Sequence, residues 1–405
     1  MAAVAKLGEA IGGRLRSRSD FVNRKIGILT YFWTDNPGTF LQAYAMLQAV
    51  QRRFPEARVE LIDIMHTRDR FKIWKRYLIP WRFVEGWQRY RICLRSKAEH
   101  FVKSERSLIT TDYEEASRFI ESLRYDMIIV GSDTVWGMLP IHRARNQLPI
   151  YWLPPRLKCK NAACAVSANV MTADSVDAEM RLRMAESLAA FDLVGVRDDV
   201  TWNLVRALGF KDDSRLERVP DPTFVWDIDY TDIDAYLAAK RKDLSGPVLG
   251  LNVPDAIGEP LARHYRSKGF QIVVLNHVGY ADWAPWAFTP FAWAGIYKYF
   301  SAVVTERFHG TVFSLKNGTP VVTLEIKSPK YVTPGGLSKR YSVLKEFGMQ
   351  DTNLINAEKM CDPDHVIAVL DRAMVGFDRE AVARKAEEMR RRFNGFLDRV
   401  AGLLT

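Results

Sequence analysis

Cysteine is scarce: four residues in 405, Cys93, Cys159, Cys164 and Cys361, with no C-x-x-C pair. That excludes a disulfide framework and a zinc knuckle, and it fits a reducing cytoplasm. Long apolar runs are missing too. Met127–Val130 is typical of the apolar strands, whereas a membrane-spanning helix needs ~18–20 such residues. The N-terminus lacks the apolar core of a secretory signal and mixes Gly and Ala with Arg14, Arg16 and Arg18. Residues 1–24 therefore read as a lead-in. There are no low-complexity tracts and no repeats of about 20–50 residues. HExxH, the P-loop glycine–lysine pattern, GxGxxG and a nucleophile elbow are all absent. The His and Asp residues show no metal-ligand spacing, so no metal site is expected.

What is present describes a globular protein: 48% hydrophobic, 26% charged, 24 Gly and 18 Pro. At about 100–200 residues per domain, the length suggests two or three domains. From Lys25 the chain alternates short apolar runs with amphipathic stretches. Strands are expected at Lys25–Thr30, Arg58–Ile64, Asp126–Val130, Asn161–Val166, Leu193–Val196 and Glu217–Val219. Helices are expected at Thr39–Arg53, Glu114–Leu123, Ala173–Ala190 and Asp199–Leu208. The polar stretch Asp227–Gly246 reads as a link, and the rhythm restarts at Pro247–Val253. It continues through Gln271–Leu275, Ala302–Thr305, Pro320–Leu324 and Ser338–Phe347, and Asp378–Leu397 closes it as a charged amphipathic helix. The pattern predicts an α/β protein of two Rossmann-like domains facing a cleft. The expected boundaries are 25–245, carrying an insertion at 66–106, then 246–377, then a C-terminal helix at 378–405 that packs back on the first domain.

In open parallel sheets, ligands bind beyond the carboxyl ends of the strands. After the first strand, Asn36 and Gly38 open a helix whose free N–H groups suit an anion, though for one Asn-x-Gly a plain βα turn is the reading these residues favour. After Met127–Val130 come Gly131, Ser132 and Asp133, a hydroxyl and a carboxylate suited to a sugar or to capping a turn. After Leu193–Val196 comes Arg197, which suits a carboxylate or phosphate. A salt bridge to Asp198 or Asp199 is its competing role. After Ala302–Thr305 come Glu306, Arg307, Phe308 and His309. There a permanent cation and an imidazole able to exchange protons near neutral pH share one cleft mouth.

Charge is uneven. Of a net +10, the segment 66–106 supplies twelve Lys or Arg against four acids, interleaved with Phe71, Trp74, Tyr77, Trp81, Phe83, Trp87 and Tyr90. Tryptophan with cations suits an anionic membrane surface, and a solvated lid with packed aromatics is the plain alternative. No nucleic-acid motif accompanies the charge, so no nucleic-acid partner is expected. A second aromatic run, Tyr280–Phe300, is mostly core, leaving Trp283 and Trp286 as candidates to stack on a sugar.

Five pieces in order resemble the polysaccharide pyruvyl transferase family: KIGILTYFWTDNPGTFLQAYAMLQAV, YDMIIVGSDTVW, FDLVGVRDD, VPDPTFVW and AVVTERFHGTVFSLKNGTPVVTL. They span about Lys25 to Gly348. Glu306 stands where the family often has Asp, Asn169 where glycine is more usual, and the basic insertion is extra. The resemblance implies a GT-B-like pair of domains. It also implies transfer of the enolpyruvyl group of phosphoenolpyruvate to a sugar or lipid-linked saccharide as a ketal, with no cofactor beyond that donor. Arg197 and Arg307 would then hold the donor's phosphate and carboxylate, helped by Asn36 and Gly38, and His309 would serve as general acid and base. Asp133, Ser132, Trp283 and Trp286 would face the acceptor. A metal would not be needed, and the setting would be cytoplasmic, at the inner membrane face. A nucleotide-sugar glycosyltransferase and a non-catalytic glycan- or lipid-binding protein are the other readings.

Overall fold

The computed structural model describes residues 23–67, 83–275, 279–286, 288–326, 338–357 and 362–404. The lead-in up to residue 22, the stretch 68–82 of the basic insertion and Cys361 lie outside the described residues.

Each half is a parallel sheet. The first runs β2–β1–β5–β6–β7–β8, formed by β1 (Lys25–Leu29), β2 (Arg58–Leu61), β5 (Met127–Val130), β6 (Lys160–Val166), β7 (Leu193–Val196) and β8 (Leu216–Arg218). A small pair, β3 (Ile64–Met65) and β4 (Leu108–Ile109), stands apart. The second sheet runs β10–β9–β11–β12–β13, formed by β9 (Val248–Asn252), β10 (Gln271–Val274), β11 (Ala302–Thr305), β12 (Val321–Ile326) and β13 (Leu354–Ala357). Helices cover both faces, which is why MIIV and LVGV are apolar throughout, AVVT is apolar up to Thr305, and all three are fully buried. Ile26 lies beside Met127, and Val303 beside Val321. The order places the carboxyl ends of β1, β5 and β7 on one rim of the first sheet, and that of β11 on the matching rim of the second.

Helix starts are written locally. Asp112, Asp177, Asp198, Ser338 and Asp378 each accept a backbone N–H two or three residues into the helix that follows.

The two halves share one apolar cluster. Phe40 from the first helix, Val225 and Trp226 from the connection, Phe313 from the second half and Phe393 from the last helix all belong to it. The helix Thr231–Lys240 falls inside the 25–245 span assigned to the first domain, yet its side chains rest on the second. Asp232 accepts from Thr289, and Tyr236 donates to the Trp286 carbonyl at 2.7 Å. The last helix, Arg379–Gly402, returns to the first half. Arg53 meets Asp398 at 2.8 Å, and Arg399 pairs with Glu217. Its Phe393, Phe396, Leu397 and Val400 are buried, each stabilising by about 1.5–3 kcal/mol.

Candidate active site

The rims meet at a cluster of charges. Arg197 leaves the end of β7 and turns inward, its side chain only 4% exposed. Its Nη1 donates to Asp221 Oδ2 at 2.6 Å, and its Nη2 lies 3.8 Å from Asp133 Oδ1. The guanidinium also stacks 4.7 Å above the Phe308 ring. Neither Asp198 nor Asp199 pairs with it. Asp198 accepts from Thr201 N at 2.8 Å to cap its helix, and Asp199 pairs with Arg218 and Lys345. The competing salt bridge expected from the sequence is therefore replaced by one to a residue 24 positions on.

Asp221 does two jobs. One carboxylate oxygen, Oδ1, holds the turn Pro222–Val225, accepting from Thr223 N at 3.0 Å and Thr223 Oγ1 at 2.7 Å. The other faces Arg197 and, at 3.7 Å, His309 Nε2. Burial alone would raise its pKa. The His309 ring and the Arg197 charge overcome burial and hold the carboxyl well below the usual carboxylate range. Asp221 is thus both a structural cap and the centre of the cluster.

Asp133 lies at the end of the β5 loop. Its backbone takes φ +83°, uncommon for a residue with a side chain. That conformation is held by Ser167 N, which donates to the Asp133 carbonyl at 2.9 Å, and by Thr134 N, which donates to Oδ1 at 2.7 Å. Gly131 just before it has φ +116°, and a Cβ there would sit 2.1 Å from the Cys164 carbonyl oxygen, so only glycine fits. Burial raises the Asp133 pKa, but Lys339, Arg197 and His309 more than offset it and keep the carboxylate charged. Lys339, the first residue of helix Lys339–Glu346, has its own pKa lowered by burial and by Arg197, against the pull of Asp133.

His309 comes from the second half, in the first turn of helix Phe308–Lys316. Packed against it from the first half, Gly38 opens helix Pro37–Arg53, and a Cβ on Gly38 would lie 2.2 Å from His309 Nδ1. Two helix N-termini therefore meet, adding partial positive charge to the same space. His309 Nε2 and Arg197 Nε and Nη2 are buried with no hydrogen-bond partner among the described residues. Buried donors rarely stay unpaired without a reason, a bound ligand being a common one.

Other expected residues sit differently. Arg307 points outward, 58% exposed, with Glu306 Oε1 at 3.2 Å. Asn36 is spent on capping, accepting Gly38 N at 2.9 Å. Ser132 is fully buried and donates to Gln42 at 2.8 Å, so its hydroxyl supports the rim and does not face an acceptor. Trp283 and Trp286 lie by the Tyr236 helix, where Lys242 and Lys240 approach their rings, and no contact ties them to the charge cluster. A pocket beside Arg197 measures only about 20 Å³, room for a single water. A larger cavity of about 650 Å³ lies between β13, helix Pro363–Val375 and the last helix, away from all these residues. No group of three His, Cys, Asp or Glu is placed to hold a metal among the described residues, and none of their helices is long and apolar enough to cross a membrane.

Lys339 is not singled out by the sequence, and Asp221, beside Pro222, reads there as structural. Lys339 follows no strand end. Asp221 carried a signal, its place in VPDPTFVW, but its reach to Arg197 is a tertiary fact.

Two parallel sheets with facing rims and a returning last helix define a GT-B-like two-domain protein. A putative UDP-N-acetylglucosamine 2-epimerase from Listeria monocytogenes has the same fold, with a TM-score of 0.52 at 9% identity over 90% of this chain and 91% of that one. The UDP-GlcNAc 2-epimerase from Methanocaldococcus jannaschii gives 0.51 at 9% identity over 90% and 99%. A search of curated proteins finds no match. Within that fold class, the chain belongs to the polysaccharide pyruvyl transferase family, whose model matches residues 36–328, well over half of its length.

Proposed function

We propose that this family member moves the enolpyruvyl group of phosphoenolpyruvate, a cytoplasmic metabolite, onto two hydroxyls of a saccharide as a ketal, releasing phosphate. The observation that carries this reading is the gathering of Arg197 and His309 beside two helix N-termini, with Arg197 Nε and Nη2 and His309 Nε2 buried and making no hydrogen bond among the described residues. That concentration of positive charge favours a small ligand with two anionic groups.

The chemistry follows from the residues. Arg197 is fixed by Asp221 and offers its remaining N–H groups to one anionic end of the donor. Arg307, free to swing, takes the other, and Lys339 adds positive charge. His309, held beside the Asp221 carboxylate, delivers a proton to the methylene carbon. C2 becomes electrophilic, a sugar hydroxyl bonds to it, and that hydroxyl's proton returns to His309. A second hydroxyl of the acceptor then bonds to C2 as the C2–O bond to phosphate breaks, and its proton leaves with the phosphate. Asp133, kept charged, orients an acceptor hydroxyl.

Incubation with phosphoenolpyruvate and a panel of saccharides tests the proposal. Phosphate release with a matching mass gain in one glycan is the expected result. Protection from unfolding by UDP-sugars and not by phosphoenolpyruvate would move the reading to a nucleotide-sugar glycosyltransferase. Unchanged function in cells after Arg307→Ala or His309→Ala would move it to a non-catalytic binding protein.

A further inference from the structure

Helix Phe83–His100 shows a face that the fold does not explain. Its inner side is buried through Cys93, Ser96 and Lys97. Its outer side carries Trp87, 48% exposed, and Leu94, 42% exposed. These positions are seven apart and lie on one stripe of the helix. Arg91 and Arg95 are exposed on the same side. The outer face of a solvated helix is mostly charged or polar. The chain just beyond continues the theme. Val102 and Ile109 are 48% and 42% exposed, with Lys103 and Arg106 exposed between them. Four of the six large apolar side chains exposed among the described residues thus fall between 87 and 109. Exposed acids in this stretch are Glu99, paired with Arg95 at 2.7 Å, and Glu105, so cations remain in excess.

The helix is also joined to the site. Lys97 runs inward and donates to the Trp33 and Thr34 carbonyls at 2.8 and 2.9 Å. Those carbonyls belong to the loop that leads from β1 to Gly38, which packs on His309. Burial lowers the Lys97 pKa, yet the two carbonyls still take its hydrogens.

We infer that the outer face of helix Phe83–His100 docks on an anionic lipid bilayer beside the cleft. Trp87 and Leu94 enter the headgroup layer, and Arg91 and its neighbouring cations meet lipid phosphates. The site then faces an acceptor carried on lipid. That last step rests on the transferase reading, whereas the docking does not.

Sedimentation of the full chain with vesicles tests the docking without any substrate. Binding to vesicles of phosphatidylcholine with phosphatidylglycerol is expected, with weaker binding to pure phosphatidylcholine and release by salt. Arg91→Glu should lower partition about fivefold or more, since each cation near such a surface counts at roughly that level. Trp87→Ser with Leu94→Ser should lower it about tenfold or more. Both changes lie on exposed positions, and an unchanged thermal midpoint shows that the fold is intact. Equal partition of the wild type onto neutral and anionic vesicles, or unchanged partition of both variants, overturns the inference. So does binding to single-stranded RNA with none to vesicles. Phosphate release from phosphoenolpyruvate is read separately, so either proposal can fail alone.

Discussion

Arg197 and Arg307 each follow a parallel strand at the mouth of the same cleft, and the protein treats them in opposite ways. Arg197 is 4% exposed, clasped by Asp221 and near Asp133, with Phe308 against its face. Arg307 is 58% exposed, with Glu306 as its neighbour. The first is a fixed electrostatic floor whose position is decided before any ligand arrives. The second faces solvent, and under the proposed function it is the hand that would close on the donor. A site that binds a small dianion gains from having both: one cation set in place at no further ordering cost, and one that moves to seal it.

The largest effect expected falls on the residue between them. His309→Ala should cut turnover by ~10²–10⁴-fold, while phosphoenolpyruvate still protects the variant from thermal unfolding. A near-normal rate would remove His309 from the mechanism. Next comes the floor itself. Asp221→Ala leaves Arg197 buried without its closest partner, and urea denaturation should show a loss of about 3–5 kcal/mol. The sign with pH follows from the lowered pKa of Asp221. Its stabilisation is complete above the ordinary value of 3.8 and is lost as acid passes through the lowered one. The variant should therefore lose less stability than wild type on strong acidification.

A third cation sharpens the contrast. Lys316, at the far end of the His309 helix, donates to the Thr223 and Trp226 carbonyls. Burial pushes its pKa from 10.5 down to about 7, with Arg390 adding to the shift and Asp227 and Asp221 opposing it. The folded chain gives up this proton near pH 7, and the unfolded chain keeps it to 10.5. Its contribution to stability should therefore rise with pH across that window, by up to ~1.4 kcal/mol per unit. Denaturation of wild type and Lys316→Met at both ends of the window checks this, and equal pH slopes would count against it. The smallest effect belongs to the hand. Arg307→Ala should change stability by less than about 1 kcal/mol, as for exposed ion pairs, while donor affinity falls. If Arg307→Ala and Asp221→Ala cost the same stability, the distinction between floor and hand is lost.

Much of this was legible in the sequence because parallel strands announce themselves. Ala302–Thr305 and Met127–Val130 are apolar on both faces, and the residues after them are forced to the rim. That places Asp133, Arg197, Arg307 and His309 without any structure. What an arginine does at the rim is not local. Arg197 has two acids beside it in sequence, yet it pairs with Asp221 and Asp133, because Asp198 is consumed by its own helix cap. Lys339 enters from a helix with no strand end before it in the expected pattern. Trp283 and Trp286 were aromatic and near prolines, but side-chain type does not say which wall of a domain a loop will cover. The short strand β13, with Asn356 in its middle, had no run of apolar residues to mark it.

The returning last helix has a mechanical consequence. The chain passes between the halves once after Asp221, beside the Pro222–Val225 turn, and again along the last helix, anchored to the second half by Arg392 and Glu346 at 2.8 Å and to the first by Arg53 and Asp398 at 2.8 Å. Two such passages define a line, and bodies joined along a line swing about it more easily than they slide or twist. Any widening of the gap would then carry His309 away from Gly38 along an arc, and bring it back to the same place each time.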